Sequence, residues 1–320
     1  MTESYAAGYV RIGPESPDSQ LTAHDREEIF IEVKDLTYTY NLGKSGEHRA
    51  LSGINLSIKA GEFLAIAGPN GSGKSTLARH FNAMLKPSAG SVIVGGMDTS
   101  VPENVWEIRR RVGMVFQNPD NQIVSSLVEE DAAFGAENLG LPSEEVQKRV
   151  EETLRLTGLS QYARHAPHLL SGGQKQKLAI AGVLVMRPSC LVLDEPSSML
   201  DPAGRAELME TLISLNRAMK VTVVLVTHFM EEVVMADRAV ILSDGRVVLS
   251  GPPASVFAED EILERLGLKL PVAAEIAHNL RKRGFSLPAG ILTIDDMVSY
   301  LTGSINNRFN GKRTHSGMWT

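Results

Sequence analysis

The chain has 320 residues, with 32 Lys plus Arg against 38 Asp plus Glu for a formal net charge of −6. At 43% hydrophobic and 22% charged it has the composition of a globular protein that buries a sizeable core, which excludes wholesale disorder, and its mild acidity gives no electrostatic footprint for nucleic acid. The longest apolar run, Leu178 to Met186, is far short of the roughly 20 residues of a bilayer crossing, and the single cysteine, Cys190, admits no intrachain disulfide and fits a reducing compartment.

Residues 1–28, with Pro14, Ser16, Pro17 and Ser19 but no apolar signal-peptide core, read as a flexible leader. From Ile29 to Tyr40, and again from Leu51 to Ile58, apolar and polar residues nearly alternate, as in half-exposed antiparallel strands. Phe63-Leu64-Ala65-Ile66-Ala67 predicts a buried strand running into a glycine-rich turn and then a helix carrying Leu77, Phe81 and Leu85. Behind Pro142, the spacing of Val146, Val150 and Leu154 predicts an amphipathic helix from Ser143 to Thr157. Cys190 to Leu193 and Val221 to Val226 read as strands separated by a helix over Ala203 to Ala218. Strands alternating with helices indicate an α/β fold with a largely parallel sheet covered on both faces. Val240 to Leu242 and Val247 to Leu249 flank Asp244-Gly245, a hairpin turn signal. Beyond Pro252-Pro253 a separate helical module is expected to about residue 302, and residues 303–320, polar and without a period, are expected to be disordered. The chain shows no internal repeat.

Three short strings carry chemistry. Gly68-Pro69-Asn70-Gly71-Ser72-Gly73-Lys74-Ser75-Thr76 fits the phosphate-loop pattern, in which glycines let backbone N–H groups curl around phosphate oxygens. Lys74 would reach the β and γ phosphates, Ser75 would help hold Mg²⁺, and the following helix would offer its positive N-terminus to the same anion. Leu191-Val192-Leu193-Asp194-Glu195-Pro196 delivers two carboxylates at a strand end, where ligands sit in open α/β sheets. Asp194 suits Mg²⁺ and Glu195 suits the water that attacks the γ phosphate; on their own the pair would read equally as solvated acids. Ser171-Gly172-Gly173-Gln174 opens a helix with bare N–H groups, a second anion-binding surface, or merely a capped helix.

Together these strings resemble the ATP-binding cassette (ABC) ATPases, phosphate-loop NTPases with an antiparallel β subdomain, a helical subdomain and, in some groups, a C-terminal extension. The resemblance covers about Ile29 to Ser250. It implies an ATPase domain over 29–251, with a helical subdomain at about 118–185, that binds ATP and Mg²⁺. Tyr40 matches the aromatic ring that stacks on adenine, Gln117 the glutamine that touches Mg²⁺ and the attacking water, Asp201 a loop that crosses a dimer interface, and His228 the residue that contacts the γ phosphate. Each has a plainer alternative: Tyr40 as a strand aromatic packed on a neighbour, Gln117 and Asp201 as surface polar residues, His228 as a structural histidine.

The stretches Phe116 to Val124, Val128 to Gly140 and Ser198-Met199-Leu200-Asp201 are similar to the energy-coupling factor transporter ATPases, importers of vitamins and transition metals. So are Leu280 to Gly284 and Leu287 to Thr293 in residues 252–302, which the resemblance marks as a dimerisation extension. Ala136 stands at a frequent proline, Ser197 at a frequent threonine, and Asn41 to Arg49 makes a long loop; none removes a reactive group. The resemblance implies a second ATPase chain, self or paralogue, a transmembrane coupling component, a substrate-binding membrane component, and peripheral attachment at the cytoplasmic face of the cell membrane. Another ABC importer, an exporter, and a soluble non-transport ABC ATPase remain alternatives, since the core motifs alone do not set transport direction.

Overall fold

A computed structural model of the protein describes residues 29–288 and 290–311; the expected leader and the end of the expected tail, 312–320, lie outside the described residues. Two sheets organise the fold. The first is antiparallel, with strands β1 (Ile29–Tyr40), β2 (His48–Lys59), β4 (Ala89–Val94) and β5 (Met97–Asp98) in the order β2-β1-β4-β5. Ile31, Val33 and Leu36 of β1 and Leu51, Ile54, Leu56 and Ile58 of β2 turn inward, and between most of them the two-residue period of a strand holds. The three-residue steps, Val33 to Leu36 and Leu51 to Ile54, fall where the pairing register shifts, as a bulge requires.

The second sheet has the order β10-β9-β3-β8-β7-β6, from β3 (Phe63–Ala67), β6 (Val112–Val115), β7 (Cys190–Asp194), β8 (Thr222–Val226), β9 (Arg238–Ser243) and β10 (Arg246–Gly251). All of its neighbouring pairs are parallel except the β9–β10 hairpin. That hairpin turns through Asp244 and Gly245, both with positive φ, the geometry the Asp-Gly pair favours. Strands β3, β7 and β8 are buried along their whole length, which is why they read as continuous apolar runs rather than alternating ones.

One face of this sheet packs Leu64, Ile66, Val192 and Val224 against the first sheet and against Leu77 and Phe81 of the helix Lys74–Phe81. The other face packs Leu193 and Leu225 against Ile180 and Leu184 of the helix Gly172–Leu184 and Leu208 and Leu212 of the helix Pro202–Met219. To one side, the helices Val128–Asn138 and Ser143–Leu156 join Gly172–Leu184 around Val128, Ala132, Val150, Leu154 and Leu178. This helical layer is fed by the segment that leaves β6.

After β10 the chain is helical, in Pro253–Ala258, Asp260–Arg265, Val272–Lys282 and Ile294–Gly311. It is not a separate module, however. Val256, Phe257, Leu263, Ala274 and Leu292 belong to the same apolar core as β7 and β8, and only a small cluster of Ala273, Ala277, Ile291 and Met297 is the extension's own. The first three, of 6, 6 and 11 residues, are too short to sustain themselves and must lay their apolar side on something larger. The last helix also runs past Gly303 to Gly311. Once its first turns are anchored, each further residue adds a hydrogen bond at little cost, so a polar sequence does not by itself end the helix.

Candidate nucleotide site

Parallel pairing sets where the functional residues emerge. Ile66 pairs with Val226, Asp194 with Val226 and Val115 with Leu193. Four chain segments therefore leave the same edge of the sheet: the phosphate loop after β3, Gln117 after β6, Glu195 after β7 and His228 after β8. This is the carboxyl edge at which open α/β sheets bind ligands.

The loop Gly68 to Gly73 wraps tightly under the helix Lys74–Phe81. Gly68 has φ +151° and a Cβ there would lie 2.1 Å from the carbonyl oxygen of Leu242; at Gly73, φ +100°, it would lie 2.7 Å from that of Ala50. Only glycine fits either place. Gly73 is the N-cap and provides no side-chain cap, so the first-turn N–H groups, which have no carbonyl four residues back, stay available to an anion. The Ser72 hydroxyl beside them is buried without a hydrogen-bond partner, an arrangement that an incoming polar ligand would complete.

Lys74 is 5% exposed and its ammonium donates to the carbonyls of Gly68 and Pro69 at 2.9 and 3.0 Å. Burial lowers its pKa, and the nearby charges of Glu195 and Asp194 act in the opposite direction. The Ser75 hydroxyl donates to Asp194 Oδ1 at 2.7 Å. Burial raises the Asp194 pKa, while that hydrogen bond and the Arg79 charge oppose the shift. A hydroxyl and a carboxylate held together beside an anion cradle are the hard oxygen donors that Mg²⁺ accepts, with phosphate and water supplying the rest. Among the described residues there is no group of three or more His, Cys, Asp and Glu able to hold a metal by itself.

Glu195 follows directly. Its backbone has φ +51°, unusual for a side-chain-bearing residue, and its N–H donates to Val226 at 2.9 Å, tying it across to β8. There His228 Nδ1 approaches Glu195 Oε2 at 3.3 Å, with the carboxylate 18% exposed and the imidazole 40% exposed. So the lysine, the hydroxyl, both carboxylates and the histidine converge on one spot.

The remaining expected residues divide into neighbours and outliers. Tyr40 joins the site: its hydroxyl is 3.1 Å from Thr76 Oγ1, and its ring also meets Tyr38 edge-on at 4.8 Å, so it lies beside the cradle and packs on a neighbour as well. Gln117 is exposed just past β6. Sequence reasoning gives no role to Gln122, which sets this turn by accepting from Phe116 N–H at 2.8 Å and donating to the Met114 carbonyl at 3.1 Å. A polar residue soon after a proline-containing turn is the only signal it leaves.

Ser171 and Gln174 form a reciprocal capping box, with Gln174 N–H donating to Ser171 Oγ at 3.3 Å and Ser171 N–H donating to Gln174 Oε1 at 2.8 Å. Ser171 and Gly172 are exposed. Among the described residues no hydrogen bond or ion pair links Ser171 to Gln174 with the phosphate loop. Beside them lies Leu200, in contact distance of any Cβ added at Gly172. Asp201 caps the helix Pro202–Met219 by accepting from Gly204 N–H at 2.8 Å, and Met199 is 66% exposed. One half of the expected machinery is thus gathered and the other half faces outward.

Replacing Tyr40 by Ala is expected to weaken ATP and GTP binding alike, by the ~1–3 kcal/mol that one stacked base is worth irrespective of its identity. Titrating both nucleotides against Y40A and Y40F checks this. Phe should retain the affinity if the ring acts, and a loss equal to that of Ala would assign the effect to the hydroxyl at Thr76.

The family profile described as ABC transporter matches residues 51–198. The chain is similar to the energy-coupling factor transporter ATP-binding protein EcfA1 of Caldanaerobacter subterraneus subsp. tengcongensis, with 52% identity over 85% of this chain and 99% of that one. Among solved structures it is similar to cbiO1 of Clostridium perfringens, part of the ABC transporter complex cbiONQ, with 41% identity, a TM-score of 0.69, and coverage of 79% of this chain and 99% of that chain. It is also similar to the ATP-binding cassette MJ0796, solved as a dimer in a post-hydrolysis state bound to ADP and Pi, at 34% identity and a TM-score of 0.63 over 70% of this chain and 98% of that chain.

Proposed function

This chain belongs to the ABC ATPases, among the energy-coupling factor transporter ATP-binding proteins, and from that membership we propose that it is the ATP-hydrolysing subunit of a membrane importer, coupling ATP-driven closure of an ATPase pair to uptake of a vitamin or transition metal ion. The observation that carries the hydrolytic reading is the convergence of Lys74, Ser75, Asp194, Glu195 and His228 on the rim of one phosphate cradle. Phosphoryl transfer needs positioning and charge neutralisation more than covalent help, and this set supplies both.

The loop N–H groups and Lys74 bind the triphosphate, with the ammonium exchanging its two carbonyl partners for phosphate oxygens. Glu195 accepts the proton of the attacking water. His228, whose Nδ1 faces Glu195, orients that carboxylate and contacts the γ phosphate. Ser75 and Asp194, with Gln117 arriving from β6, would hold Mg²⁺, which would supply positive charge against the triphosphate. The outward face of Ser171 to Gln174, with Asp201 nearby, supports a partner-directed role: the Gly172 and Gly173 N–H groups, which the capping box leaves unused, complete the neighbouring chain's site. ATP then holds two chains together, and loss of the γ phosphate releases them.

No helix among the described residues is long and apolar enough to cross a membrane, so transport requires membrane partners. The segment after Gln117 and the helical layer it feeds are assigned to grip them, and the attachment is peripheral, at the cytoplasmic face. The full-length chain, captured from solubilised membranes in ATP, is expected to bring down a second ATPase chain and a polytopic membrane protein, both identified by mass spectrometry. Recovery of soluble partners alone would overturn the importer reading.

A further inference from the structure

Behind His228 lies a charged group for which the hydrolytic mechanism has no use so far. Glu232 sits in the short helix Met230–Val233 and is 4% exposed, a costly place for a carboxyl unless it is held by partners. Its Oε2 accepts a 2.6 Å hydrogen bond from the Thr227 hydroxyl, a buried pair. Thr227 Oγ1 in turn accepts from Phe229 N–H at 3.0 Å, so this one hydroxyl spans the turn that carries His228. The other oxygen, Oε1, is buried without a hydrogen bond of ordinary geometry, as is the Ser197 hydroxyl. Burial pushes the Glu232 carboxyl above its ordinary range, opposed by the nearby Ser197 and Thr227 hydroxyls and by the charges of Arg205 and His228. Ser197 stands between Glu195 and the Ser198-Met199-Leu200-Asp201 loop.

A second tie runs in parallel. Arg205, in the helix that Asp201 caps, lies over the Phe229 ring at 4.1 Å, and that ring packs on His228 at 4.2 Å between centroids. The histidine is therefore fastened from below and from the side to the same segment that Asp201 terminates.

We propose that Glu232 is a positioning residue of the hydrolytic site: its buried carboxyl clamps the Thr227–His228 turn through the Thr227 hydroxyl and so holds the imidazole at Glu195. The clamp rests on the reading of Glu195 and His228 as the groups that act at the γ phosphate.

The test compares E232Q with E232M in the full-length chain. Gln keeps an acceptor for the Thr227 hydroxyl, whereas Met keeps the approximate volume and offers none. E232M is expected to lower kcat for ATP about 10-fold or more, since small misplacement of a catalytic group is costly, with KM and the nucleotide dissociation constant changed less than about 2-fold. E232Q is expected to restore most of the turnover. T227V, which leaves Glu232 in place, should reproduce the kcat loss, and the double variant should fall no further than the worse single, as members of one unit do. Normal kcat in E232M, or equal losses in kcat and nucleotide affinity, would overturn the clamp. If E232M does not fold, T227V decides alone, and its unchanged kcat would do the same. H228A and E195Q, run alongside, separate the two levels of inference. Wild-type turnover in either would remove the site reading and the clamp with it, whereas loss in both with normal E232M turnover removes only the clamp.

Discussion

Glu195→Gln is expected to bind ATP as well as the native chain and to hydrolyse it roughly 10²- to 10⁴-fold more slowly, the range over which a positioned general base acts. The substitution is nearly isosteric. It leaves the backbone N–H bond to Val226 and the contact toward His228 sterically possible, so the cradle should keep its shape and the melting temperature should move little. What it removes is the carboxylate proposed to take a proton from the attacking water, which His228 approaches at 3.3 Å. Binding should, if anything, tighten. Asp194 and Glu195 both act on Lys74, and deleting one of these negative charges reduces repulsion of the triphosphate.

The consequence extends to assembly. If ATP holds the ATPase pair closed and hydrolysis opens it, the variant should accumulate as an ATP-bound pair that the native chain populates only briefly. Single-turnover hydrolysis, nucleotide titration and sedimentation together read the three effects. Native turnover in E195Q would show that Glu195 is no more than a solvated acid at a strand end, the plain reading of Asp-Glu after an apolar run.

That some of this arrangement is legible in the sequence, and some is not, has a physical basis. The phosphate loop, its strand and its helix are contiguous, and each loop glycine answers a local demand, a positive φ of +151° at Gly68, +79° at Gly71 and +100° at Gly73; local chemistry leaves a local pattern. The Asp194–Ser75 bond joins residues 119 apart, yet it is legible because parallel strands must deliver their carboxyl ends to one edge. Strands β4 to β6 leave no such mark: β5 has two residues, too few to show a period. The docking of Val256 and Leu263 into the main core is likewise invisible, since a short amphipathic helix announces that it has an apolar side but not what covers it. Glu232 is the most misleading. It follows Glu231 on a helix and looks solvated, and only the fold reveals a carboxyl buried against Thr227.

Lys74→Ala is expected to raise the dissociation constant for ATP by about two orders of magnitude while changing that for adenosine little. In the structure the ammonium is nearly enclosed and donates to two loop carbonyls, with burial working to lower its pKa and two carboxylates working to raise it. That is a charge held in a low-dielectric pocket in readiness for an anion. Charge-assisted hydrogen bonds contribute about 1.5–3 kcal/mol each, and about 1.4 kcal/mol corresponds to one decade of affinity, so two phosphate contacts account for a loss of that size. The nucleoside lacks the phosphates and should not register the change. Removing the ammonium also strands the Gly68 and Pro69 carbonyls, so part of any loss could come from a loosened loop. Lys74→Arg distinguishes the two causes. It preserves the charge and donors but not the compact point geometry, so it should keep the loop ordered and still bind the triphosphate poorly. Isothermal titration of ATP, ADP and adenosine against both variants checks the series. An unchanged ATP dissociation constant in K74A would contradict the phosphate-loop assignment, and with it the route by which hydrolysis reaches the rest of the fold.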